Sequence, residues 1–191
     1  MTLGSSRFCG PMAVRLDLHQ QHASHYPFAA SHLRTSFTAQ RVAVETATGE
    51  VTDVRADPRA SFPSDVRAPW DDTYLTSPFT FASPGFEAVE LSPVMEEGET
   101  WRRLKVTFPD HIATHSPEQI FYFDSNGLLR RHDYTPEVIN AGPVAHYPSE
   151  YKEFDGITIP TRRRVHRRGE GGTVSRDVEL VTIDVESGLF V

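Results

Sequence analysis

The chain has 191 residues, about one ordinary domain and long enough to bury a sizeable core. At 38% hydrophobic and 24% charged residues it is neither a disordered nor a membrane-spanning chain, and its net charge of −7 argues against general nucleic-acid binding, which needs a basic surface. The single cysteine, Cys9, excludes an internal disulfide and any cysteine-rich zinc site.

The N-terminal stretch MTLGSSRFCGPMAVRLDL has no apolar run of signal-peptide length, and no stretch nears the roughly 18–20 apolar residues of a spanning helix. The expected compartment is the cytoplasm, and residues 1–11 are expected to be loose. Next, MAVRLDL alternates, with Met12, Val14, Leu16 and Leu18 on one face and Ala13, Arg15 and Asp17 on the other, as a half-buried strand does. His19, His22, His25 and His32 follow in a polar stretch and are expected at the surface. QRVAVETATGEVTDVRAD predicts two strands around Thr48-Gly49, ending at Pro58. From Arg59 to Ser77, around APWDDTYLTSP, an irregular connection is expected, of the length that often serves as a lid or binding loop.

GFEAVELSPVMEEGETWRRLKVTF predicts a hairpin turning near Glu97-Gly98, with Leu104, Val106 and Phe108 on one face. DHIATHS places His111 and His115 four apart, a spacing that serves one metal ion on a helix but spans about 13 Å in a strand. The flanking Pro109 and Pro117 argue against a helix, so no metal is expected. FYFDSNGLLRRHDY is the next hairpin. Its turn is either a two-residue Asn126-Gly127 turn or, preferred, a type I turn over Asp124–Gly127 with Gly127 in a bulge. Under either register His132 and Tyr134 share a face, about 6.6 Å apart by strand rise, while Arg131 and Asp133 share the other, beside Phe121 and Leu129 in the preferred register. Tyr122 joins His132 and Tyr134 if theirs is the concave face. TPEVIN carries the signals of a short helical turn, Thr135 as N-cap and Pro136 after it. EYKEFDGITIP predicts a pair turning at Asp155-Gly156, and TRRRVHRR with TVSRDVELVTIDV a last pair joined by GEGG. In that last pair Arg162, Arg164, His166 and Arg168 share one face and Arg163, Val165 and Arg167 the other. With GEGG as the loop, Arg164 falls opposite Asp177 and Arg162 opposite Glu179, so the arginine run reads as cross-strand ion pairing. Its remaining functional reading is the gripping of an anionic group on a ligand.

About ten strands in hairpin sequence argue a mainly β fold, an antiparallel and strongly curled sheet with few short helices and lid loops, as one domain over residues 1–191. No nucleophile elbow, phosphate-cradling glycine loop or dinucleotide fingerprint occurs, so no cofactor is expected. Chemistry that survives without such motifs is acid/base catalysis of the isomerase, cyclase or lyase type, for which His132, Tyr134, His115 and His146 are the candidates, with His111 beside them. Asp71, Asp72, Asp110 and Asp124 are the carboxylates available to partner them. Phe121, Tyr122, Phe123, Trp70 and Tyr74 are candidate ligand walls, and Arg131 and Arg164 candidate polar contacts.

The second half of the chain, about residues 79–185, resembles the LolA/LolB-like superfamily of lipoprotein-carrier folds, as a cytoplasmic bacterial branch of it. The resemblance rests on FYFDSNGLLRRHDY followed by EYKEFDGITIPTRRRV, a D-x-x-G-L-L hairpin before an F-x-G-I-x-x-P hairpin with long closing strands. It implies an incomplete, half β-barrel around an apolar cavity that holds a lipophilic molecule. The missing signal peptide and the histidines and arginines on the strands point away from lipoprotein transport and leave the cavity. The partner is thus a lipophilic small molecule, held by an enzyme or by a non-catalytic carrier; neither nucleic acid nor a membrane span is expected, and the chain is a monomer or homodimer.

Overall fold

In the computed structural model, residues 2–4, 10–17, 20–55, 73–137 and 141–190 are described. Their strands form one antiparallel sheet that curls through 205° as a half-barrel. The N-terminal half supplies β1 (Thr2–Gly4), β2 (Met12–Asp17), β3 (His22–Tyr26), β4 (Leu33–Thr38), β5 (Arg41–Thr46) and β6 (Val51–Arg55). The C-terminal half supplies β7 (Glu87–Glu96), β8 (Glu99–Thr107), β9 (Glu118–Phe123), β10 (Leu129–Tyr134), β11 (Val144–Phe154), β12 (Ile157–Arg168), the two-residue β13 (Val174–Ser175) and β14 (Val181–Ser187). The strand order is β6-β5-β4-β3-β2-β1-β14-β12-β11-β10-β9-β8-β7. The chain thus starts mid-sheet, meanders out to one edge, crosses to the other edge and meanders back until β14 lies beside β1.

Alternation in the sequence becomes two faces of the sheet. Met12 and Val14 are buried while Ala13 and Arg15 are exposed. Val106 and Phe108 are buried with Leu104 against them, in a cluster with Phe121 and Leu129. A second cluster joins the two halves, with Met12 and Val14 of β2 packing with Ile159 of β12 and Ile183 and Val185 of β14. The concave face is covered by a short helix, α1 (Thr73–Thr76), a 3-10 turn (Phe79–Ala82), and the segment 108–117 that links β8 to β9. Leu75 enters the joining cluster, and Phe81 and Ile112 pack on the Val106 cluster.

The turns fall where the sequence puts them. Asp155 and Gly156 both have positive φ, 50° and 81°, the paired left-handed conformation that a two-residue hairpin requires. At Asp124–Gly127 the Gly127 amide donates to the Asp124 carbonyl at 3.1 Å with Gly127 at φ 79°, the preferred four-residue turn. The Asp124 side chain closes it by accepting from the Asn126 and Leu128 amides.

Several expectations differ from the structure. Residues 2–4 form β1, which pairs with β2 and β14. The histidine stretch is not all surface: β3 and β4 run through it, and His25 is buried with its Nδ1 2.8 Å from Thr35 Oγ1. GEGG is not the whole final turn; β13 pairs only with Arg167 and Arg168, and β14 then sets Arg162 opposite Asp184 and Arg164 opposite Thr182. Cys9, Leu18, His19, residues 56–72 of the long connection and Val138–Asn140 of the expected helical turn lie outside the described residues.

Candidate ligand site on the concave face

Direct cross-strand pairing lines up Leu104, Phe121, His132, His146 and Val165 across β8 to β12. The row runs along the concave side, with Phe121, His132 and His146 all at 2% exposure or less. Tyr134, two residues beyond His132, shares its face. From the cover come Tyr74 on α1 and His115 on the segment 108–117. The rings close a circuit: His132 to Tyr134 at 4.6 Å between centroids, Tyr134 to His115 at 4.7 Å, His115 to Tyr74 at 6.4 Å, Tyr74 to His146 at 5.8 Å, and His146 back to His132 at 5.9 Å. Phe121 stacks on His132 at 4.1 Å.

A polar chain ties the cover to this circuit. Thr73 and Thr114 hydroxyls lie 3.0 Å apart, and Gln119 Nε2 donates to Thr114 Oγ1 at 2.7 Å and to the Ser116 carbonyl at 3.0 Å. That fixes the amide orientation of Gln119, so its Oε1, 2.5 Å from His132 Nε2, is an acceptor and His132 Nε2 carries a proton. Burial, with the charge-charge influence of His115 and Arg163, holds the His132 pKa well below its ordinary value. His146 is lowered likewise, by burial first and then by Arg163. Both imidazoles are neutral at physiological pH. Neither ring nitrogen of His146 has a hydrogen-bond partner among the described residues.

Arg163 is the functional candidate that sequence reasoning passed over. It sits on the inner face of β12 after Ile159 and Thr161 and before Val165, and is 2% exposed. Its Nη1 donates to the Tyr74 carbonyl at 3.0 Å, tying β12 to α1, while its Nε has no partner among the described residues. Burial pushes its pKa down to about 10, against the influence of the Tyr151, Tyr74 and Tyr134 hydroxyls, so it remains a cation at neutral pH. The signal for it was its odd position within the run 162–168, but the sequence does not say which parity faces inward.

Of the expected site residues, His132, Tyr134, His115, His146, Tyr74 and Phe121 come together here, and Phe123 packs at the end of the adjoining apolar cluster. Tyr122 and Arg131 do not. The register shifts at a bulge between Leu129 and Arg131, which sets Arg131 opposite Tyr122 and His132 opposite Phe121. Tyr122 therefore faces outward and donates to Asp133 Oδ2 at 2.8 Å. Arg131 clamps Asp133 through Nε and Nη2 at 2.7 and 2.9 Å and reaches Glu96 at 2.7 Å. Burial opposes the charge of Arg131, yet the hydrogen bonds to Asp133 raise its pKa. Burial and the nearby Asp133 push the Tyr122 hydroxyl up to about 12. Arg164 is also outward, paired with Asp184 at 2.7 Å and Glu179 at 3.6 Å. His111 is exposed, apart from His115, and among the described residues no three metal-ligating side chains converge. Trp70, Asp71 and Asp72 lie outside the described residues. Beside the circuit, a cleft of about 40 Å³ opens between the N-terminal strands and the cover, lined by Leu16, Ala23, Phe37, Thr73 and Ile112 among others. Thr73 belongs both to this cleft and to the polar chain leading to His132.

No family model and no curated protein matches the sequence. Among solved structures, a DUF1329 family protein from Desulfovibrio piger is similar over 99% of this chain and 85% of its own, with a TM-score of 0.53 and 16% identity. A LolA superfamily protein from Nitrosomonas europaea aligns over 96% of this chain and 80% of its own, with a TM-score of 0.42 and 11% identity. Among the described residues no helix is long and apolar enough to cross a membrane. The likeness is one of fold: this chain shares its overall fold with the DUF1329 family protein over nearly its whole length.

Proposed function

We propose that the chain binds a lipophilic small molecule on the concave face of its half-barrel, as a carrier-type protein working in the cytoplasm. One observation carries this reading: an interior of aromatic and aliphatic side chains in which His146 Nδ1 and Nε2 and Arg163 Nε are buried and find no hydrogen-bond partner among the described residues. Leaving such groups unpaired costs about 1–3 kcal/mol each, more when charged, and an unmet hydrogen-bonding group in a native interior calls for an explanation. A ligand that lifts the cover and meets them is that explanation, and apolar walls with a few convergent polar groups are the usual form of a small-molecule site.

Acid/base chemistry of the isomerase, cyclase or lyase type ranks second. A general base works best with a pKa near the operating pH, whereas His132 and His146 are held well below theirs and His132 Nε2 already holds a proton shared with Gln119. Solvent extraction of the purified protein followed by mass spectrometry tests the reading. A lipophilic compound is expected in near-stoichiometric amount and unaltered when it is added back. Extracts no richer than those of an unrelated β-protein would overturn binding, and recovery of a converted product would replace the carrier with the enzyme.

A further inference from the structure

We propose that the bound molecule is an amphiphile with an anionic head, a carboxylate in the simplest case, and that the Nε edge of Arg163 with the His146 imidazole is the seat for that head. The inference rests on the binding reading above and names its ligand class. Arg162, Arg164 and Arg168, on the outer face of β12, each meet a carboxylate, from Glu150, Asp184 and Asp133 respectively, and Arg167 is exposed to solvent. Arg163 alone among the arginines of this run is buried, and no carboxylate lies within 4.0 Å of it among the described residues. The chain has 26 acidic residues against 19 lysines and arginines, so a counter-charge was readily available to the sequence, and none is placed there by the described residues.

Arg131 shows what the same edge of a guanidinium does in this fold when a carboxylate is present. Its Nε and Nη2 hold Asp133 with two parallel bonds, the strong bidentate geometry. On Arg163 the Tyr74 carbonyl takes Nη1 and leaves Nε without a partner among the described residues. His146 stands opposite Val165 on the neighbouring strand, hence diagonal to Arg163 on one face, where side chains lie roughly 7 Å apart and one carboxylate bridges the gap. Its neutral ring supplies one N–H donor to the second oxygen. On either side along the sheet the surroundings turn apolar, with Ile159 and Val165 on β12 itself and Phe121 across the circuit. A charged head at Arg163 with its tail along these walls satisfies both.

The test titrates the full chain, stripped of endogenous lipid, with dodecanoic acid and with 1-dodecanol at neutral pH, read by calorimetry and by the shift in Tm. The acid is expected to bind about tenfold or more tightly than the alcohol, the worth of a charge-assisted pair. Arg163→Met is expected to lose more acid than alcohol affinity and so to abolish the preference, and to melt higher than the wild type without ligand, because a buried cation lacking a counter-ion is gone. If Arg163→Met does not fold, His146→Phe is read in its place, with acid affinity falling about threefold or more relative to alcohol affinity. Equal binding of acid and alcohol by the wild type overturns the anionic head and leaves lipophile binding standing. So does a preference that survives Arg163→Met, or an acid affinity untouched by His146→Phe. Binding of neither probe, with nothing extracted from the protein as purified, removes both readings.

Discussion

Arg131 and Arg163 lie at similar depth on opposite faces of one sheet, with opposite electrostatic outcomes. The outer arginine is held by Asp133 and Glu96, with Tyr122 and Arg168 closing on the same carboxylate of Asp133. Among the described residues the inner one has only a main-chain carbonyl. Beside it, the two buried histidines set a pH dependence. Their pKa values are depressed in the folded state, so below the unfolded value near 6.5 the unfolded chain takes up protons that the folded one refuses. Stability from this source is complete above pH 6.5 and is lost as pH falls below it, by up to about 1.4 kcal/mol per pH unit for each histidine. His146→Phe is expected to flatten the urea midpoint between pH 7 and pH 5 by one histidine's share. An unchanged slope would mean that His146 ionises freely in the folded protein.

Among the elements, the cover over the concave face is the least secured. Helix α1 is only four residues long, too short to be stable by itself, and is held by tertiary contacts. Thr73 bonds Thr114, Ser77 closes the turn onto the Thr73 carbonyl, and Arg163 holds the Tyr74 carbonyl. Thr114→Val keeps the shape but removes the link between Thr73 and Gln119. It is expected to cost about 1–3 kcal/mol, because Gln119 loses a buried acceptor. Hydrogen exchange should quicken over residues 73–82 and 110–116 and stay slow in β9 to β12. Equal protection in variant and wild type would show that this link does not hold the cover.

Across the whole molecule, the sheet joins two meanders through β1 and through the cluster of Met12, Val14, Ile159, Ile183 and Val185. Each meander also has apolar clusters of its own, one around Phe37 and one around Phe121. A joining cluster of this kind makes unfolding of the halves cooperative. Ile183→Ala is expected to cost about 2–5 kcal/mol while leaving a single transition. Aromatic fluorescence and far-ultraviolet circular dichroism should report the same midpoint; two separated midpoints would show that the meanders unfold independently.

Much of the fold was legible in the chain because strand alternation and turn chemistry are local. The parity of MAVRLDL, the face shared by Leu104, Val106 and Phe108, and the turns at Glu97, Asp124 and Asp155 follow from neighbours in sequence, and the curled antiparallel sheet follows from strands in hairpin order. Less legible were β3 and β4, whose buried positions are filled by Ala23, His25 and Thr35 as well as Phe37, so that their alternation carries little hydrophobic contrast. At the site, the sequence by itself determined that His132 and Tyr134 share a face and that Arg131 and Asp133 share the other, since side-chain direction alternates along any strand. It did not determine which face is concave, nor that a bulge after Leu129 turns Tyr122 outward and sets Phe121 against His132. Nor did it determine that Arg163, one of five arginines within seven residues, is the one enclosed without a carboxylate. Only the tertiary structure decided those points, because curvature, register shifts and the company of a buried charge depend on segments distant in the chain.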